Sequence, residues 1–242
     1  MTPPTLRRLL GGLLGIVVVA LLILWIGPST IARFRADLLY YTGQHLLLVA
    51  FSMVGALITG LGAGIVLSRP SVTKSAERFM QIFNVANTVP PMAVLAIALA
   101  FFGIGGTSAV FALWLAALLP IVRNTYQGLA GVDGALKEAA RGLGMRPLQS
   151  LWQVELPNAW PVIMSGVRIA LVINVGSAPL SFLIGANSLG NLIFPGIYLN
   201  DPSQMLLGAV ATALLALVLD GLAAWLTLRL SRHQAPGERA VA

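Results

Sequence analysis

No cysteine occurs in this sequence. Disulfides, thiolate nucleophiles and cysteine-ligated metals are thereby excluded. Charge is nearly as scarce, at 10% of the 242 residues against 57% hydrophobic. A soluble domain of this length needs more charge to stay dispersed, so the composition points to an integral membrane protein. Lys74 and Lys137 are the only lysines. Neither belongs to the Gly-x4-Gly-Lys-Ser/Thr pattern whose backbone amides and lysine cradle a nucleotide's phosphates. The two histidines, His45 and His233, fall on opposite sides of the expected bilayer, so no metal cluster is visible. No paired carboxylates and no nucleophile-base arrangement recur near one face, so nothing reads as an enzyme. No cofactor is implied.

Long hydrophobic runs are what the chain does have. Six stand out, at residues 9–26, 46–67, 79–102, 107–126, 163–184 and 205–228. At about 20 residues per crossing they allow an all-α protein with roughly six spans. The first run follows Arg7 and Arg8 and ends in Trp25-Ile26-Gly27-Pro28, not in a small-x-small cleavage site, so it reads as a retained helix. The formal charge of +7 and pI near 10.8 would suggest nucleic acid on a soluble chain. Here the basic residues sit between apolar runs and act as topology signals. With the N-terminus inside, 13 of the 15 fall on the cytoplasmic side, and only Arg33 and Arg35 fall outside. Both termini are therefore expected in the cytoplasm of a bacterial inner membrane. The division is a helix and external loop over 1–40, a core over 41–230, and a polar tail over 231–242.

Pro90-Pro91, Pro120 and Pro179 must kink or break the third, fourth and fifth runs. Such disruption at membrane depth needs protein or a water-filled cavity to satisfy the freed backbone groups. Gly60, Gly62 and Gly64, with Gly11 and Gly15, give a small-residue spacing that lets helices approach closely. Asn174, Ser177 and Ser181 recur along the fifth run. They read either as interhelical hydrogen-bonding groups, the favoured reading, or as lining of a path shared with Asn87 and Thr88. Asp220 is the only acid inside a run, and it is expected to pair with Arg168. A lone acid of this kind is also what an ion-coupled carrier would use.

One long polar loop, about 127–161, separates the fourth and fifth runs on the cytoplasmic side. Ala135 to Leu143 is a run of good helix formers, Gly144 can adopt the left-handed conformation that ends it, and Pro147 can open a second short helix. Leu148, Leu151, Trp152 and Val154 give that second helix an apolar side, and Pro157 is expected to close it. The result is a knob of two short helices bent at a glycine, shaped to sit in a groove of another protein.

This stretch resembles the cytoplasmic loop of ATP-binding-cassette importer permeases, which reads Glu-Ala-Ala, three residues, Gly, nine residues, Ile, one residue, Leu-Pro. Glu138, Ala139, Ala140, Gly144, Val154, Leu156 and Pro157 stand at those spacings, and valine for isoleucine is the sole departure. The segments 88–96, 119–129 and 185–190 are similar to the glycine betaine, choline and osmoprotectant branch, with Ser188 where that branch has glycine. The resemblance implies a MetI-like type I importer fold with cytoplasmic coupling helices. It also implies a separate ATPase docked on the knob, and a second permease copy or a paralogous permease completing the path. The outer segments are too short to form a domain, so a separate extracytoplasmic binding protein would deliver the solute. No aromatic cage for a quaternary ammonium is visible, which fits recognition residing in that binding protein. The lipid bilayer is the remaining partner, and no nucleic acid is implied. A permease for another small solute, of amino acid or sulfonate type, is the alternative.

Overall fold

The structure, a computed structural model, describes residues 15, 17–70, 72, 78–81 and 89–231. All regular structure among the described residues is helical. Among the described residues these α-helices follow one another: α1 Val17–Ile26, α2 Pro28–Arg33, α3 Arg35–Leu67, α4 Pro91–Phe102, α5 Gly106–Ala130, α6 Gly134–Gly142, α7 Pro147–Ser150, α8 Leu156–Ser177, α9 Gly190–Tyr198 and α10 Pro202–Ser231. A π-helical turn, Leu151–Glu155, joins α7 to α8, and a 3-10 segment, Ala178–Ile184, follows α8.

Among the described residues four stretches are long and apolar enough to cross a bilayer: Arg35–Leu67, Gly106–Ala130, Pro147–Ile184 and Pro202–Arg229. They match the second, fourth, fifth and sixth hydrophobic runs. The first and third runs are represented by the shorter helices Val17–Ile26 and Pro91–Phe102. Residues 9–14 and 82–88 of those two runs, with Asn87 and Thr88, lie outside the described residues, as does the tail from 232. Pro90 is extended, with ψ 142°, and Pro91 occupies the first turn of α4, so the proline pair opens a helix there.

Two boundaries differ from the sequence reading. Helix α3 begins at Arg35, not near Leu46, so the end of the expected external loop is helical. Its 33 residues span about 50 Å, well beyond the roughly 30 Å hydrocarbon layer. Backbone hydrogen bonding carries on where hydropathy fades. Pro157 does not close a helix either: it sits in the first turn of α8, and the segment from Pro147 runs unbroken into the fifth span. A proline lacks the N–H that would bond four residues back. The π turn absorbs the irregularity just upstream, with Leu156 N–H donating to the Leu151 carbonyl five residues back.

Helix α5 lies at the centre. The main core joins Leu48, Met53 and Ala56 of α3, Leu95 and Ala98 of α4, Leu113, Ala117 and Ile121 of α5, and Ala170 and Val175 of α8. Gly60 and Gly64 set the α3–α5 spacing, because a Cβ added at Gly64 would stand 2.5 Å from the Thr125 Cβ and 2.9 Å from the Val122 carbonyl oxygen. Gly62 differs, since a Cβ there would meet nothing within 4 Å. Pro120 stays inside α5, and its carbonyl accepts from Asn124 Nδ2 at 2.8 Å. Ile26 of α1 packs with Leu207 and Val210 of α10, which places the first helix against the last.

Candidate functional site: the knob and the spans it joins

The knob is built from local chemistry. Asp133 caps α6, its Oδ1 accepting from Ala135 N–H at 2.9 Å. At the other end Met145 N–H donates to the Ala140 carbonyl at 3.1 Å and Gly144 N–H to the Arg141 carbonyl at 2.9 Å. These two bonds form a Schellman motif, which requires the left-handed residue found at Gly144, φ +73°. Pro147 then opens α7 in its first turn.

The outer face of the knob is apolar and uncovered. Leu143 is 77% exposed, Leu148 70% and Trp152 65%, and Glu138 and Ala139 are also exposed. Of the other residues in the Glu-Ala-Ala pattern, Ala140 is buried, whereas Val154, Leu156 and Pro157 are half-buried along the root of the rod. The inner face is anchored. Leu151 joins Leu129, Val132, Ala159 and Ile163 in a small separate core. Lys137 Nζ reaches back to donate to the Leu129 carbonyl at 2.9 Å, near the end of α5.

Glu155 is the residue the sequence reading passed over. It occupies the free position between Val154 and Leu156, is buried, and pairs with Arg69 just beyond α3, Nη2 to Oε2 at 2.8 Å. One signal was available: Glu155 is the only ionisable residue between Arg146 and Arg168. An acid that isolated in an apolar stretch needs a partner once buried.

The residues flagged within the spans separate. Asn174 is fully buried, accepting from Ser52 Oγ of α3 at 3.1 Å and donating through Nδ2 to the Leu113 carbonyl of α5 at 3.3 Å. It cross-links three helices. Ser181 is also fully buried, and its hydroxyl has no hydrogen-bond partner among the described residues. Ser177 instead faces a cavity of about 140 Å³ between α4, α5 and α8, lined also by Val89, Pro91, Leu113, Leu119 and Ile173. Arg168 was counted among the cytoplasmic loop charges. It lies inside α8 and grips Asp220 of α10 at two points, both 2.8 Å. Ser188 has a structural use: its buried Oγ accepts from Gly190 N–H at 3.1 Å at the start of α9. Among the described residues no three His, Asp or Glu side chains gather as a metal site would require.

Residues 56–232 match the family model described as the binding-protein-dependent transport system inner membrane component. The chain is 58% identical over 230 residues to the osmoprotectant import permease protein OsmY of Salmonella typhimurium, covering 95% of this chain and 98% of that one. It is 38% identical over 184 residues to the choline transport system permease protein OpuBB of Bacillus subtilis, covering 76% and 84%. Among solved structures, an inward-facing MetNI methionine ABC transporter superposes with a TM-score of 0.70 at 22% identity, covering 84% of this chain and 98% of the other.

Proposed function

On the premise that the chain belongs to the binding-protein-dependent transport system inner membrane components, we propose that it carries a small quaternary-ammonium osmoprotectant such as glycine betaine or choline. It is a multi-pass inner-membrane permease of an ATP-binding-cassette importer and not an enzyme. The substrate class rests on the 58% identity, over nearly the whole chain, to a permease named for osmoprotectant import.

The mechanical part of the proposal rests on the knob. Its exposed face of Leu143, Leu148 and Trp152 is too apolar to favour water, and its inner face is pinned to α3 and α5. A separate ATPase subunit seats that face in its cleft, and closure of the ATPase pushes through Glu138–Ala140 and α7 into α8. A separate binding protein delivers the solute from outside. A second copy or a paralogous permease completes the path, to which the Ser177 cavity contributes one wall. Both termini lie in the cytoplasm. Asp220 is engaged at two points by Arg168, which favours a structural pair over an ion-coupling site.

The test is uptake of labelled glycine betaine and choline into proteoliposomes holding this chain with its ATPase and binding protein. Uptake should require ATP inside the cytoplasmic compartment and the binding protein outside. Uptake driven by a proton or sodium gradient without ATP would overturn the assignment. ATP-driven uptake of an unrelated solute alone would overturn the substrate class.

A further inference from the structure

We propose that the Arg69–Glu155 ion pair is the strut that carries movement of the knob into α3, which makes both residues positioning residues for ATP-driven transport. The inference rests on the docking role given above to the knob.

Glu155 is held by a network. Arg69 Nη2 donates to Oε2 at 2.8 Å, Nη1 to Oε1 at 3.4 Å, and Ser150 Oγ donates to Oε1 at 3.3 Å. Arg69 is itself folded onto the end of α3: Nε donates to the Ile65 carbonyl at 3.2 Å and Nη2 to Ser68 Oγ at 2.9 Å. The guanidinium therefore bridges the carbonyl end of one span and the root of the coupling rod. That placement suits a cation, because free carbonyls give a helix C-terminus partial negative charge.

Three features make this a transmitting part. The knob hangs on the bundle largely through apolar contacts among Leu129, Leu151, Ala159 and Ile163, with Leu61 and Ile65 of α3 packed alongside. Apolar attraction is non-directional. A two-point charge-assisted pair fixes both distance and direction, so it transmits pull as well as push. Glu155 also closes the π turn, the one place where the rod Pro147–Ile184 departs from regular α-helix before its 3-10 end. A shift of the knob is taken up at that turn, and Arg69 is the group across from it. Burying an ion pair, finally, gives little stability over an apolar pair of similar size. Stability alone does not account for an acid at this position.

The experiment uses the complete complex in proteoliposomes and reads uptake and ATP hydrolysis together. Arg69→Gln and Glu155→Gln are compared with the double variant, with the swap Arg69→Glu/Glu155→Arg, and with Arg69→Met/Glu155→Met, which keeps bulk and removes both charges. Each single variant should still co-purify with the ATPase and hydrolyse ATP near the wild-type rate. Uptake should fall by about tenfold, so that more ATP is consumed per solute. The double Gln variant should be no worse than the poorer single, and the swap should recover part of the coupling. The Met pair should melt in detergent near the wild-type temperature and still be uncoupled. Uptake and hydrolysis falling in proportion, or a folded Met pair with the wild-type ratio, would overturn the strut. Failure of the wild-type chain to bind the ATPase would instead overturn the docking reading beneath it.

Discussion

Arg168 on α8 and Asp220 on α10 are joined at two points, Nε to Oδ1 and Nη2 to Oδ2, each at 2.8 Å. Both residues lie within stretches long and apolar enough to span the bilayer, and their side chains are 38% and 31% exposed in the single chain. The pair therefore links the long rod Pro147–Ile184 to the last span.

Neutralising one partner should accordingly be worse than neutralising both. A lone Arg or Asp at mid-helix costs about 3 kcal/mol on membrane-insertion scales. Asp220→Asn and Arg168→Gln should each reduce membrane abundance and detergent melting temperature more than the double variant does. Uptake by the double variant should remain ATP-driven. Immunoblots with thermal melts decide the point, and a stable Asp220→Asn beside an unstable double variant would contradict it.

Two of the three α3 glycines that share a spacing pattern should behave oppositely. Gly64→Ala places a methyl against Thr125 and the Val122 carbonyl, and neither atom can rotate away. The helices must separate, at about 1–3 kcal/mol. Gly62→Ala meets nothing within 4 Å and replaces a poor helix former, so it should be neutral or slightly stabilising. Melting curves of the two variants measured side by side test the α3–α5 packing directly.

Gly144→Asp should uncouple without unfolding. A Cβ at Gly144 meets nothing within 4 Å, so the penalty is the positive φ alone, about 1 kcal/mol or more. That strain falls on the Schellman bend between α6 and α7. Membrane abundance should stay near normal while uptake falls severely and co-purification of the ATPase weakens. Glu138→Lys should act in the same direction, more mildly, because α6 can persist. Normal uptake by Gly144→Asp at normal abundance would remove the knob from the mechanism.

Trp152 offers a large aromatic surface that is 65% exposed in the single chain. Truncating it to alanine should leave the melting temperature nearly unchanged and weaken ATPase binding by roughly thirtyfold, the scale of an interface hot spot at about 2 kcal/mol. Titration of detergent-solubilised permease with the purified ATPase gives the number. An unchanged Kd would place the docked face elsewhere on the knob.

Asn174 should prove structural. Its bonds to Ser52 and Leu113 hold three helices together, and such bonds average about 0.6 kcal/mol in membranes. Asn174→Ala should lower the melting temperature slightly and keep uptake within about twofold of wild type. Ser177→Leu fills the cavity wall instead, so it should reduce uptake at unchanged stability. The opposite pattern in these two variants would return Asn174 to the translocation path.

Much of this was legible in the chain because the signals are local. Hydropathy alone locates the four long spans, since the bilayer imposes a length on each apolar run. The bend at Gly144 and the helix starting at Pro147 follow from backbone restrictions that belong to single residues. Hydropathy was silent on where α3 begins, because a helix extends past the bilayer without changing its hydrogen bonds. Pro157 misled for a related reason: a proline closes a helix only if nothing upstream re-registers the backbone, and here a π turn does.

By itself the sequence determined the membrane class, the four long apolar spans, the left-handed bend and the spacing of Glu138, Ala139, Ala140, Gly144, Val154, Leu156 and Pro157. Each depends on one residue's conformational limits or on a short contiguous pattern. The partner of Glu155, the separation of Asn174 from Ser177 and the packing role of Gly64 but not Gly62 were decided only by the tertiary structure. Those facts depend on which faces of two distant helices meet, and helical periodicity leaves that rotation open until the helices pack.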